Sequence, residues 1–192
     1  DNTEDNIGMM FMEENVRSTA ESMMGLQLGK QLHLPTTEYT EQEYRRAYDE
    51  TVGSGRYFFF DHFGSNTIDN ILARIRYFVK AVKCRYIILD HISILVSSQQ
   101  HAYDERRTID ECMTKIRTLI QELNVSLILV SHLRRPMQGS HEEGLNTSLS
   151  DLRGSASIGQ LSDIVVGLER NGQHDDPVER HTTRVRVIKN RF

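Results

Sequence analysis

The chain has 192 residues, of which 38% are hydrophobic and 26% charged, with a net charge of −4; this is the profile of one ordinary globular domain with a real core. The acidic balance excludes a chain-wide basic surface, so any contact with nucleic acid must come from local arginine and lysine clusters. No apolar run approaches the ~18 residues of a membrane span, and Cys84 and Cys112 lack C-x-x-C spacing, which fits a reducing, cytoplasmic setting without membrane attachment.

The N-terminus, Asp1 to Asn6, is acidic and does not read as a signal peptide. Ile7 to Met12 is a short apolar run read as a buried strand ending at Glu13-Glu14. Val16 to Gln31 follows as a helix with Asn15 as N-cap. A polar stretch to residue 56 holds a helix at Glu41 to Asp49. Tyr57 to Asp61 is an aromatic strand. Thr67 to Lys83 repeats apolar residues at helical spacing through Ile68, Ile71, Leu72, Ile75, Phe78, Val79 and Val82. Tyr86 to Asp90 is a strand, 97–104 a loop, and Glu105 to Leu123 a long amphipathic helix. Val125 to Ser131 is a strand that opens at His132 into a long loop, 134–150. Gly154 to Leu161 is a short helix. Ile164 to Glu169 and Thr183 to Lys189 are strands joined through a turn at 171–177. This order predicts one α/β domain over 1–192: a mostly parallel twisted sheet flanked by helices, with antiparallel edge strands.

Ligands of such sheets sit beyond the C-terminal ends of the strands. The polar residues there are Glu13, Asp61, Asp90 and the pair Ser131/His132. Asp90 ends the run Tyr86-Ile87-Ile88-Leu89, and a buried strand delivering one carboxylate to its edge is how nucleotide-binding sheets hold Mg²⁺ beside phosphates. Glu13 supplies a second carboxylate, and the two acids can divide metal binding from orientation of a water molecule. Each has a plainer reading. Asp90 alone is a solvated strand-end acid about as often, and Glu13-Glu14 together suit an acidic helix start. The two are read separately, with Glu14 serving the helix and Glu13 the chemistry. A lone His132 after a strand is more often structural; beside a nucleotide it would sense the γ-phosphate.

Arg134 and Arg135 open the long loop and suit a DNA backbone, which needs charge and reach; a solvated basic turn is equally consistent with them. The chain closes on Lys189-Asn190-Arg191-Phe192. The planar fork of Arg191 suits two phosphate oxygens, although an ordinary basic terminus explains the same residues. The phosphate loop G-x-x-x-x-G-K-[ST] occurs nowhere in the 192 residues. Gly25 to Gln31 mimics it one residue short, with Gln31 in the hydroxyl position. His141-Glu142-Glu143 lacks the second histidine of a zinc motif.

Several segments occur in one order along nearly the whole chain: Met12-Glu13-Glu14, Ile87-Ile88-Leu89-Asp90-His91-Ile92-Ser93-Ile94, Asp104-Glu105-Arg106-Arg107, Ser131-His132-Leu133, His141-Glu142-Glu143-Gly144, Asp151-Leu152-Arg153-Gly154-Ser155, Gln160-Leu161-Ser162-Asp163, Leu168-Glu169-Arg170-Asn171 and Lys189-Asn190-Arg191-Phe192. This ordered set resembles the helicase domain of DnaB-type replicative ring helicases, nearest to the primase–helicases of short-tailed phages and to mitochondrial Twinkle. The resemblance implies a RecA-like P-loop NTPase core, Mg²⁺ with ATP or another NTP, single-stranded DNA as partner, and a hexameric ring in phage or bacterial replication machinery. It implies Glu13 as the base that orients water, Asp90 as the metal-holding acid, and His132 as the phosphate sensor. It groups Gln160 with the nucleotide-binding residues and Arg134, Arg135, Arg153 and Gly154 with the DNA-binding ones. Lys189 and Arg191 become the basic pair that reaches a neighbouring subunit's nucleotide. Gly159 departs from the phage pattern, which has a basic residue there.

The phosphate loop would then lie ahead of residue 1, and the 192 residues alone are expected to be inactive. Two other readings compete: a RecA-like recombinase or clock-type ATPase, and a truncated, non-enzymatic remnant. The Lys189-x-Arg191 ending and the Asp151–Arg153 segment favour the helicase.

Overall fold

A computed structural model of the protein describes residues 4–61, 67–93, 102–134, 140–152 and 156–192. They fall into two compact units, Asp1–Leu95 with Thr118–Val130, and Val96–Arg117 with Ser131–Phe192.

The first unit is built on four parallel strands, β1 (Asn6–Phe11), β2 (Tyr57–Phe59), β3 (Cys84–Asp90) and β4 (Ser126–Leu129), in the order β2-β1-β3-β4. Parallel strands covered on both faces read as apolar runs, and here Met9, Met10, Ile87 and Leu89 are buried. Helix α1 (Val16–Leu28) starts where the Asn15 side chain accepts from the Ser18 N–H at 2.9 Å. It stops three residues before the predicted end because Gly29 takes a left-handed conformation, φ 65°. Helix α2 (Glu41–Glu50) carries a reciprocal cap between Thr40 and Glu43. Met24, Leu32 and Ala47 form a small core with Leu28, Tyr44 and Val52. Helix α3 (Ile68–Lys80) buries Ile71, Ile75 and Phe78. It lies close on the sheet at Gly8, where an added Cβ would come 2.7 Å from Phe78 and 2.8 Å from Ile87.

Helix α4 (Ala102–Leu123) begins three residues earlier than its amphipathic pattern predicted. It buries Ile109, Cys112, Met113, Ile116 and Leu119 along one face. Neither Cys84 nor Cys112 is in a disulfide, and burial pushes the Cys84 thiol up to about 11.

In the second unit, α5 (Ala156–Leu161) precedes strand β5 (Ile164–Glu169). A short helix, α6 (Pro177–His181), then leads to β6 (Arg184–Asn190). The predicted antiparallel pair is present; among the described residues it forms a two-stranded sheet of its own. Helix α6 was read only as the end of a turn. Its start signal was in the sequence, with Pro177 in the first turn and the Asp176 side chain accepting from the Val178 N–H.

The long loop after Arg134 is tied to this hairpin. Glu169, 5% exposed, accepts from the Thr147 N–H at 2.7 Å, the Thr147 hydroxyl at 2.6 Å and the Arg186 guanidinium at 2.7 Å. Arg186 also donates to the Thr147 carbonyl. Glu143 bridges Asn171, and Gly144, at φ 85°, sits where a Cβ would crowd Asn171 at 3.0 Å. These ties hold the described part of a loop whose length alone reads as unstructured. The Arg186 guanidinium, aided by Thr147, holds the Glu169 carboxyl down at about 2. A depressed carboxyl stabilises the fold above its unfolded value, near 4.5, and that contribution disappears as pH falls toward 2. Glu169→Gln is therefore expected to cost about 1.5–3 kcal/mol at neutral pH, the range for hydrogen bonds to charged groups. The gap between variant and parent in urea unfolding should narrow on acidification. A gap constant from pH 7 into the acid range would rule out this role for the ion pair.

Candidate functional site

The parallel register brings the strand ends together. Phe11 at the end of β1 stands opposite Asp90 at the end of β3, and the Met12 N–H donates to the Asp90 carbonyl at 2.6 Å. Glu13 is therefore the first residue past that junction. On the other side of β1, Met9 pairs with Phe59 and accepts from the Phe60 N–H at 2.8 Å, so Asp61 leaves β2 at the same edge. Met12, Glu13, Glu14, Arg17 and Asp61 are among the residues lining an open cleft of about 490 Å³ there. Glu13, Asp90 and Asp61, three of the residues read as strand-end polar groups, thus leave β1, β3 and β2 at one edge of the sheet.

Glu13 and Glu14 point to different partners. Glu14 accepts from the Thr19 hydroxyl of α1 at 3.4 Å. Glu13 Oε1 lies 2.9 Å from His91 Nε2, with the His91 side chain 8% exposed and that of Glu13 56% exposed. His91 received no role from the sequence. Its position beside Asp90 was visible, but the contact depends on strand register, which one sequence does not encode legibly.

β3 brings a carboxylate-bearing residue, Asp90, to its C-terminal end, and carboxylate oxygens are suitable ligands for Mg²⁺. The cleft fits a phosphate chain less well by itself. Among its described lining residues three are acids, and Arg17 is the one cation.

β4 ends at this edge as well, since Leu129 pairs with Leu89 and the Val130 N–H donates to the Leu89 carbonyl at 2.9 Å. His132 follows β4 by three residues and belongs to the second unit. There the chain from His132 is fastened to the segment around Asp151. Leu133 bridges Leu152, the Arg134 N–H donates to the Asp151 carbonyl at 2.8 Å, and the Arg134 guanidinium donates to the Leu152 carbonyl at 3.3 Å. Arg134 is thus set beside the residues that lead into Arg153. Arg135, Arg153 and Gly154 lie outside the described residues.

The basic ending is engaged with the end of α5. Lys189 Nζ donates to the carbonyls of Gly159 at 2.7 Å, Gln160 at 3.1 Å and Ser162 at 2.7 Å. A cation suits the C-terminal carbonyls of a helix. Arg191 donates to Asp163 at 3.1 Å and to the Gln160 carbonyl at 2.8 Å, with about half of its side chain (48%) still exposed. Asp163 also receives both Arg117 donors, at 2.6 and 3.1 Å. Chiefly through the Arg117 bond, its carboxyl sits below the usual carboxylate range. The sequence indicated the Lys189–Arg191 pair; it did not reveal that Asp163 holds the arginine.

A profile of the DnaB-like helicase C terminal domain matches residues 5–192. The chain belongs to that family. It is 37% identical over 191 residues to the DNA helicase/primase of Enterobacteria phage T3, covering 97% of this chain and 33% of that protein. It is 27% identical over 168 residues to the replicative DNA helicase DnaB of Rickettsia bellii, covering 85% of this chain and 33% of that one. This DnaB-like domain therefore spans about a third of those two relatives' length.

Among solved structures, a DnaB-like replicative helicase described with its primase interactions superposes with a TM-score of 0.75 at 19% identity, covering 97% of this chain and 46% of that one. A KaiC-like protein of Pyrococcus horikoshii superposes with a TM-score of 0.62 at 17% identity, over 97% of this chain. Both likenesses concern the RecA-like fold alone. Fold does not separate a DnaB-type domain from a clock-type ATPase; the sequence match does.

Proposed function

We propose that this DnaB-like domain is the motor of an ATP-dependent replicative DNA helicase, working as a hexameric ring on single-stranded DNA. The observation that carries the reading is the junction of β1 and β3, where Phe11 pairs with Asp90 and Glu13 follows two residues later. Hydrolysis of a phosphoanhydride needs charge neutralisation and an oriented water, and two carboxylates on adjacent strand ends divide that work. Asp90 would hold Mg²⁺, which would supply charge neutralisation on the transferred phosphoryl group. Glu13 accepts a hydrogen bond from the attacking water and takes its proton as the new P–O bond forms and the bond from the γ-phosphorus to the bridging oxygen breaks, the electron pair leaving with ADP. His132, leading from β4 into the loop of Arg134, connects the nucleotide to the DNA-contacting segment. Arg134, Arg135, Arg153 and Gly154 contact DNA. Gln160 and Lys189 support the nucleotide side, Lys189 by fixing the end of α5, and Arg191 reaches the nucleotide of a neighbouring subunit. The setting is the phage or bacterial replication machinery, and no described helix is long and apolar enough to cross a membrane.

The phosphate affinity of this class rests mainly on the backbone N–H groups and lysine of its phosphate loop. The 192 residues alone should accordingly bind Mg-ATP weakly and hydrolyse it negligibly. A P-loop form, in which they follow a G-x-x-x-x-G-K-[ST] segment, should hydrolyse ATP, accelerate on adding single-stranded DNA, and unwind a forked duplex. Calorimetry and phosphate release on both forms provide the test. Tight Mg-ATP binding by the 192 residues, or a P-loop form indifferent to DNA, would contradict the reading.

A further inference from the structure

We propose that His91 is a positioning residue that sets the direction of Glu13, an inference that rests on the reading of Glu13 as the water-orienting base. A glutamate at the mouth of a cleft, more than half exposed, has three side-chain torsions to fix. An exposed carboxylate on such a stem spends little time in any one direction. Here one of its oxygens, Oε1, lies 2.9 Å from an imidazole nitrogen whose own side chain is buried. A carboxylate only accepts hydrogen bonds, so Nε2 carries the hydrogen and donates it. His91 cannot follow Glu13 outward, because it sits between the end of β3 and the buried pair Ile92 and Ser93. The anchored Oε1 restricts the directions open to the carboxylate, and in the proposed role this restriction aims the group at the attacking water. No proton passes through His91 in this role; it supplies direction only.

Side-chain geometry provides a matched pair of variants. The amide nitrogen of glutamine falls near the position of imidazole Nε2, whereas that of asparagine falls near Nδ1, short of Glu13. Both keep a polar group in the buried position. In the P-loop form, His91→Asn is expected to lower kcat about 10²-fold, the cost of a reacting group displaced by about 1 Å. Its KM for ATP should stay close to the parent value, and His91→Gln should recover most of the loss. Once Glu13 is replaced by Gln, His91→Asn should cost nothing further, since there is no base left to aim.

Unfolding midpoints of the two variants establish that they fold alike. Equal losses in His91→Asn and His91→Gln, no loss in either, or a full additional loss in the Glu13→Gln background would each overturn the positioning role. If Glu13→Gln alone leaves turnover intact, the base assignment itself falls, a result distinct from all of these.

Discussion

In the P-loop form, Arg191→Ala is expected to lower DNA-stimulated ATP hydrolysis by on the order of 10³–10⁵, the range for arginine fingers. Nucleotide affinity should change little. The expectation comes from where the residue stands. Arg191 follows β6, in the second unit, whereas Glu13 and Asp90 lie at the sheet edge of the first. Its guanidinium is docked on Asp163 and the Gln160 carbonyl, while about half of the whole side chain is exposed. Both terminal nitrogens of the fork are held within the chain, and in the proposed role their remaining donors would meet phosphate oxygens presented by another subunit. Arg191→Lys should not restore the rate, because a single ammonium cannot reproduce the fork. Rapid-mixing measurements of phosphate release, with nucleotide binding measured separately, check this. A loss confined to binding would mean that Arg191 holds the ground state instead.

Glu13→Gln should give an enzyme that binds Mg-ATP normally and turns it over about 10²–10⁴-fold more slowly, the range for loss of a general base. Glutamine keeps the length of the side chain and can still accept from His91 or water through its carbonyl oxygen. It cannot take a proton. The neighbouring Glu14 is not expected to substitute, since its carboxylate faces Thr19 of α1 rather than His91. Glu14→Gln therefore serves as the matched control, with turnover near that of the parent. Equal losses in the two variants would show that the cleft needs negative charge in general and not a base at one position.

The strands and the polar residues at their ends were legible in the sequence because buried parallel strands leave long apolar runs that stop abruptly, as Tyr86 to Leu89 stops at Asp90. Helix limits were less legible. Gly29 ends α1 by a left-handed turn inside a stretch whose composition is still helical. The pairing of side chains was not legible at all. His91 meets Glu13 only because Phe11 is in register with Asp90, and a shift of one residue would face them differently. Lys189 reads, with Arg191, as a basic pair reaching a neighbouring subunit's nucleotide, whereas in the fold its ammonium is occupied by three carbonyls at the end of α5. Glu169 reads as one acid in a charged motif, while in the fold it joins the Thr147 loop to β6 through Arg186. In each case the partner is distant in sequence, and no local pattern announces it.

The central claim is that Glu13 of one subunit and Arg191 of another act on the same ATP. Mixing subunits of the P-loop form tests it most directly. Glu13→Gln and Arg191→Ala proteins, each nearly inactive alone, are dissociated, combined in equal amounts and reassembled. Sizing and differential labels confirm that mixed rings have formed. In a mixed ring some interfaces carry an intact Glu13 on one side and an intact Arg191 on the other. The account predicts that DNA-stimulated hydrolysis rises above the sum of the two separate variants and peaks near the equal mixture. Hydrolysis that stays at that sum across all ratios, in rings shown to be mixed, would contradict a site shared between subunits.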